Sequence, residues 1–157
     1  MTCPIIVCQY HIGEINAARQ ACIEQLKANL PYNVKYEMIR EPVKIISHRA
    51  ALKPSETIRR DSCLVRLLLL QENPDRLWID TDVKINSWPD FIEGKTYLYG
   101  GSCPAAIMYL KGAVTKIQQI IEEFAQTNLM CPHHWLYNLD HIKIPENCFN
   151  HLKLSSR

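Results

Sequence analysis

Between residues 4 and 39 the chain writes a strand, a helix and a strand in succession, and this order narrows the possible folds more than any other feature. "PIIVCQY" (4–10) is a compact apolar run rich in Ile and Val, which suits a strand covered on both faces. "EINAARQACIEQLKAN" (14–29) places Ile15, Ala18, Cys22 and Leu26 at helical spacing, and Pro31 ends the pattern. "NVKYEMI" (33–39) alternates Val34, Tyr36 and Met38 as a half-covered strand does.

Downstream the alternation continues. Pro54 and Ser55, with Ser55 as N-cap, open a helix that runs through "ETIRRDSCLVRLLLLQE" and stops at Asn73-Pro74, because proline cannot extend it. Its half from Leu64 to Leu70 is too apolar to face water. Next come a strand, "RLWIDTDVKI" (76–85), a turn at Pro89, and two further apolar segments, "KTYLYGG" (95–101) and "AAIMYLK" (105–111). Thr115 and Gln118 have capping-box spacing at the head of a helix bearing Val114, Ile117, Ile121 and Phe124 on one stripe. A short helix around "HHWLYNLDH" and the apolar "IKIP" follow. Strands alternating with helices predict an α/β three-layer sandwich around a mostly parallel sheet. The 157 residues (1–157) suit a single domain of this kind.

Composition excludes several classes. A charged fraction of 22% with net charge +2 is no coat for nucleic acid. Seven Lys/Arg against three acids between Arg40 and Arg66 form a local basic patch, either a face for an anion or a solvated surface. The seven cysteines are scattered without a C-x-x-C pair, which predicts reduced thiols in a cytoplasmic protein. No stretch has the length of a transmembrane segment, and "MTCPIIVCQYHIG" lacks the charged start of a signal peptide.

Asp80 and Asp82 fall at the carboxyl end of an apolar strand, where open α/β sheets bind ligands. Residues i and i+2 of a strand point to one side, roughly 6 to 7 Å apart. At an effective dielectric near 20 two such charges repel by about 2.5 kcal/mol, and burial adds a desolvation cost. Two readings remain open on the residues alone. Either the pair lies exposed at the strand end as a structural feature, or a cation sits against it. Mg2+ or Mn2+ meets the second condition, since one or two carboxylates and substrate phosphates complete such a shell.

The stretch "SCLVRLLLLQENPDRLWIDTDVKI" (62–85) resembles the glycosyltransferases whose sugar-binding region contains a DXD motif, a group that includes mannosyl- and capsular-polysaccharide-type transferases and the glucosylating toxins. Ser62, Arg66, Leu70, Trp78, Asp80 and Asp82 match its pattern. Cys63 stands where the family has aspartate, and Asn73-Pro74-Asp75-Arg76 stands where it has a Gly-Gly turn. Near the C-terminus, His133-His134, Asn138 and Phe149-Asn150 follow a second pattern of transferases with this GT-A fold, with histidines in place of an acidic pair.

The resemblance implies a nucleotide-sugar donor, UDP- or GDP-linked, and a saccharide or other small acceptor. It implies Mn2+ or Mg2+ on Asp80 and Asp82, with His151 after "FN" as a further ligand. Ser62, Arg66, Asp80 and, at the end of the first strand, Tyr10 would face the donor, with Gly101 allowing close approach of a sugar. No catalytic nucleophile can be named. An inverting reaction needs a carboxylate base, for which Asp90, Glu93 and Asp140 are available.

Two rivals stand beside this reading. Aspartyl-phosphate phosphatases also write D-x-D after an apolar strand, but on their first strand, whereas about half of this chain precedes it. A catalytically degenerate module that binds a nucleotide or partner without turnover accommodates Cys63 and the missing Gly-Gly turn. Cys131-x-His133 and Cys148-x-x-His151 hint at zinc but lack the paired ligand spacing of structural sites.

Overall fold

A computed structural model describes residues 5–44 and 54–154, with only the helical backbone for 54–59. Its elements are β1 (Ile6–Tyr10), α1 (Ala17–Ala28), β2 (Lys35–Ile39), α2 (Pro54–Glu72), β3 (Arg76–Ile79), β4 (Val83–Ile85), β5 (Tyr97–Tyr99), β6 (Ile107–Tyr109), α3 (Val114–Ala125), α4 (His133–Tyr137), β7 (Ile142–Ile144) and β8 (Phe149–His151). Among the described residues six strands form one sheet in the order β2-β1-β3-β6-β5-β7. β1 runs parallel to β2 and β3, and β5 runs parallel to β7. β6 alone opposes its neighbours, pairing antiparallel with β3 and β5. The fold is α/β with a mostly parallel sheet, as the alternation of elements predicts.

Each face of the sheet carries its own core, because successive side chains of a strand point to opposite faces. Val7, Leu77, Ile79, Ile107 and Tyr109 pack with Leu26 of α1 and with Val83, Ile85 and Phe149 of β4 and β8. Cys8, Trp78, Leu98 and Met108 pack the other way, against Val65, Leu69 and Leu70 of α2, Ile117 and Ile120 of α3, and Leu136 of α4. Fully burying each such leucine or isoleucine stabilises the fold by roughly 1.5–3 kcal/mol. The apolar half of α2 is thereby accounted for.

Four local expectations are corrected. "RLWIDTDVKI" is two strands: β3 ends at Ile79, a turn follows in which the Val83 N–H donates to the Asp80 carbonyl at 3.2 Å, and β4 leaves the main sheet. There it pairs antiparallel with β8, placing Val83 opposite His151. On α1 the buried stripe is Arg19, Cys22, Ile23 and Leu26, while Ala18 is exposed. The capping box at Thr115 and Gln118 does not form, since the turn Lys111–Ala113 leads straight into α3, and Gln118 bonds Gln71 and Glu122 instead. Finally, the described arginines of the basic patch are engaged separately. Arg40 donates to the Gly13 carbonyl, Arg60 is buried against four carbonyls at the end of α3, and Arg66 turns to the sheet's rim. The side chains of Ser55 and Arg59, with Cys3, Arg49 and Lys53, lie outside the described residues.

Candidate functional site

The carboxyl ends of β1 and β3 meet at one rim of the sheet, and the turn after β3 brings Asp80, Thr81 and Asp82 there. This turn is firmly held. The Asp80 N–H donates to the Ala106 carbonyl at 2.9 Å, Gln9 Nε2 donates to the Asp80 carbonyl at 3.2 Å, and Tyr36 Oη in turn fixes the Gln9 amide at 2.6 Å. Past β8 the chain folds back onto the turn, with the Leu152 N–H on the Asp82 carbonyl and the Leu154 N–H on Asp82 Oδ2, both at 3.0 Å.

Asp80, Asp82 and His151 come together at this point, one ligand atom from each lying within 4.8 Å of the others. His151 Nε2 stands 3.3 Å from Asp82 Oδ1 and 3.8 Å from Asp80 Oδ2. Adjacent ligands of an octahedral ion bound at 2.0–2.1 Å are about 3 Å apart, so a small closure completes three corners of such a shell. Asp82 Oδ1 is buried and makes no well-aligned hydrogen bond, its near neighbour being the His151 imidazole, which a cation could share with it. Oxygen, oxygen and imidazole nitrogen form a donor set that a divalent metal ion can take. Among the described residues no other such group gathers, so the cysteine–histidine pairs hinted at in the sequence do not assemble a metal site.

Electrostatics differ between the two carboxylates. Burial raises the Asp80 carboxyl above its ordinary value, and the Arg66 guanidinium at 3.3 Å and the Trp78 indole N–H at 2.6 Å oppose this. Asp82 is lowered: burial pushes it up, but the His151 imidazole, the Leu154 N–H and the Arg19 charge outweigh burial. His151 is raised by Asp82 beside it, against the effect of burial.

A pH dependence follows. The raised His151 contributes stability that is fully present below its unfolded value near 6.5 and is lost as pH rises through the folded value. A divalent ion requires the neutral ring. Mn2+ affinity is therefore expected to climb with pH above 6.5, with proton release on binding. Calorimetric titration in buffers of different ionisation enthalpy counts that proton, and a count of zero between pH 6.5 and the raised value contradicts the His151 ligand.

A cavity of about 250 Å³ opens beside the turn, lined by Tyr10, His11, Arg19, Ser62, Arg66, Trp78, the three turn residues and Leu154. Tyr10, Ser62, Arg66, Asp80 and Asp82 thus share one space. Gly101 does not; it lines a neighbouring cavity of about 300 Å³ with Ser102, Glu146, Asn150, His151 and Lys153. Gly100 serves packing, because a Cβ there would lie 2.7 Å from the Ile144 carbonyl oxygen of β7. Cys63 faces away from the cavity, packed with Leu64, Phe124 and Cys131. Asp90, Glu93 and Asp140 precede β5 and β7 and so lie at the opposite rim, while Glu146 follows β7 and lies at the near one. Trp88 and Trp135 pack edge-on against Phe91 and Phe124.

Thr81 and Arg19 are among the cavity residues that the sequence reading did not name. Thr81 carried no signal beyond its place inside D-x-D. Arg19 did carry one: with Ile15, Cys22 and Leu26 it falls at helical spacing on the apolar stripe, where an arginine is out of place unless it has a partner.

No protein-family model matches the sequence, and no curated protein does. Among solved structures the chain is similar to a glycosyltransferase involved in the glycosylation of the major capsid of PBCV-1, with a TM-score of 0.59 and 15% sequence identity over 98% of this chain and 96% of that one. At that identity the likeness is one of fold. The chain carries, over almost its whole length, an α/β architecture that a glycosyltransferase also has.

Proposed function

We propose that this protein is a divalent-metal-dependent glycosyltransferase of the hexosyl type, moving a sugar from a UDP- or GDP-linked donor to a saccharide or other small acceptor. The observation that carries the reading is the convergence of Asp80, Asp82 and His151 at the ligand-binding rim of the sheet. Mn2+ or Mg2+ bound there supplies positive charge where a departing nucleoside diphosphate develops negative charge. The chain's own residues prepare that place. Arg66 and Trp78 hold the Asp80 carboxylate in one orientation, and the Leu154 N–H holds Asp82 so that its buried Oδ1 stays turned to His151. Tyr10, at the end of β1, offers an aromatic wall for the base, and Ser62 a hydroxyl for the donor.

A thermal-shift panel tests this. UDP- and GDP-sugars are expected to raise the melting temperature with Mn2+ present and not with EDTA. Indifference to every nucleotide in both conditions ends the proposal. Hydrolysis of an aryl phosphate alongside that indifference would favour the phosphatase.

One observation favours binding without turnover as a second reading. Cys63, which holds the position of the family's donor-contacting aspartate, points into the core and not the cavity. Release of free nucleoside diphosphate from a stabilising donor separates the two readings: turnover yields it, and a binding module does not.

A further inference from the structure

Two arginines line the cavity, one from each helical layer of the sandwich. Arg66, from α2, is engaged by the protein itself. Its Nη2 lies 3.3 Å from Asp80 Oδ1, its Nη1 donates to the Ala105 carbonyl at 3.1 Å, and its guanidinium stands over the Trp78 ring. It is a positioning residue for Asp80. Arg19 comes from the first turn of α1, on the other face of the sheet.

We propose that Arg19 binds the diphosphate of the donor, receiving phosphate oxygens on its guanidinium from the α1 side while the Asp80–Asp82 turn presents its metal-binding face; this rests on the nucleotide-sugar reading above. Arg19 is 9% exposed, in line with Cys22, Ile23 and Leu26, where a leucine would pack at no desolvation cost. Its backbone is fixed by the Asn16 cap, which accepts the Arg19 N–H at 2.8 Å. Its Nη1 donates to Thr81 Oγ1 at 2.6 Å, to the hydroxyl that lies between the two aspartates. Its Nη1 is thereby held beside the space a donor would fill. The planar fork of arginine matches phosphate oxygens in pairs. The first turn of α1 carries no acidic residue, so its N-terminal dipole adds to the same positive field.

The placement gives the proposal a sign that a structural role lacks. A positive charge beside Asp82 repels a cation bound there and attracts an anion, so removing it should affect the two ligands in opposite directions. Arg19→Gln, Arg19→Lys and Thr81→Val are to be titrated by calorimetry with Mn2+ alone, and with UDP, GDP and inorganic pyrophosphate in the presence and absence of Mn2+. Loss of a charge-assisted hydrogen bond is expected to weaken UDP, GDP and pyrophosphate by ~10-fold or more in Arg19→Gln. Mn2+ affinity should stay level or tighten. Arg19→Lys should fall between, and Thr81→Val should lose less than Arg19→Gln.

Parallel weakening of metal and diphosphate, as a disrupted turn would cause, overturns the proposal, and so does wild-type affinity for both. Should Arg19→Gln not fold, Arg19→Lys carries the test, with weaker diphosphate at constant Mn2+ affinity as the required result and equality with wild type as the contrary one. Wild-type protein that binds Mn2+ and nucleotide but shows no such split sinks this assignment alone. Wild-type protein that binds neither sinks the nucleotide-sugar reading with it.

Discussion

Arg66→Met is expected to be the most destabilising of the substitutions at the rim. The arginine and Asp80 are both largely buried, at 15% and 13% side-chain exposure, so solvent screens their interaction little. Breaking a buried pair by removing one partner typically costs ~3–5 kcal/mol, because the remaining charge is left uncompensated. For a chain of this length that corresponds to a fall in melting temperature on the order of 10 °C. The remaining carboxylate keeps the Trp78 N–H and the more distant His151 imidazole, and its already raised pKa rises further. The defect should therefore be worst near neutral pH and shrink as acidification protonates Asp80 through its folded value. Arg66→Met combined with Asp80→Asn should recover much of the loss, since no charge is then left behind. Chemical denaturation of the two single variants and the double variant completes the cycle. Additive effects would mean that the pair seen at 3.3 Å carries no coupling.

Asp82→Asn is expected to remove the metal site and the Asp82–His151 pairing while leaving the closing segment in place. Its amide oxygen still accepts the Leu154 N–H, so the closing segment keeps its anchor. What disappears is the ionised carboxylate whose buried Oδ1 lies 3.3 Å from His151 Nε2. Disturbing a residue behind a metal ligand commonly costs 10–100-fold in affinity, so loss of a charged ligand itself should exceed ~100-fold. Calorimetric titration with Mn2+ measures this directly. Asp90→Asn, at the opposite rim, serves as the control and should titrate like wild type. Equal Mn2+ affinity in Asp82→Asn and wild type would show that the ion binds elsewhere or not at all.

How far the sequence could be read depended on whether the signal was local. The order of strands and helices was legible because apolar periodicity differs between the two, and the apolar run Leu64 to Leu70 announced a helix largely buried over its C-terminal half. The aspartate pair was legible for the same reason, as charge where a strand should have continued. The break at Asp80 was not, because Val83, Lys84 and Ile85 resume a strand-like alternation that fits one long strand as well as two short ones. Which was formed depended on β8, three residues long and more than sixty positions away, and no local pattern announces such a partner. Arg19 was hidden differently. The stripe was drawn through Ala18 at i+3, whereas the helix buries the residue at i+4.

The pairing of β4 with β8 spans only three residues, Val83 to Ile85 against Phe149 to His151. Side chains along a strand alternate between faces, so a slip of one position in that ladder would rotate His151 away from the aspartates and carry Phe149 out of the core. Inserting or deleting one residue just before Phe149 would thus disarm the site as thoroughly as mutating a ligand, although every ligand would still be present in the chain.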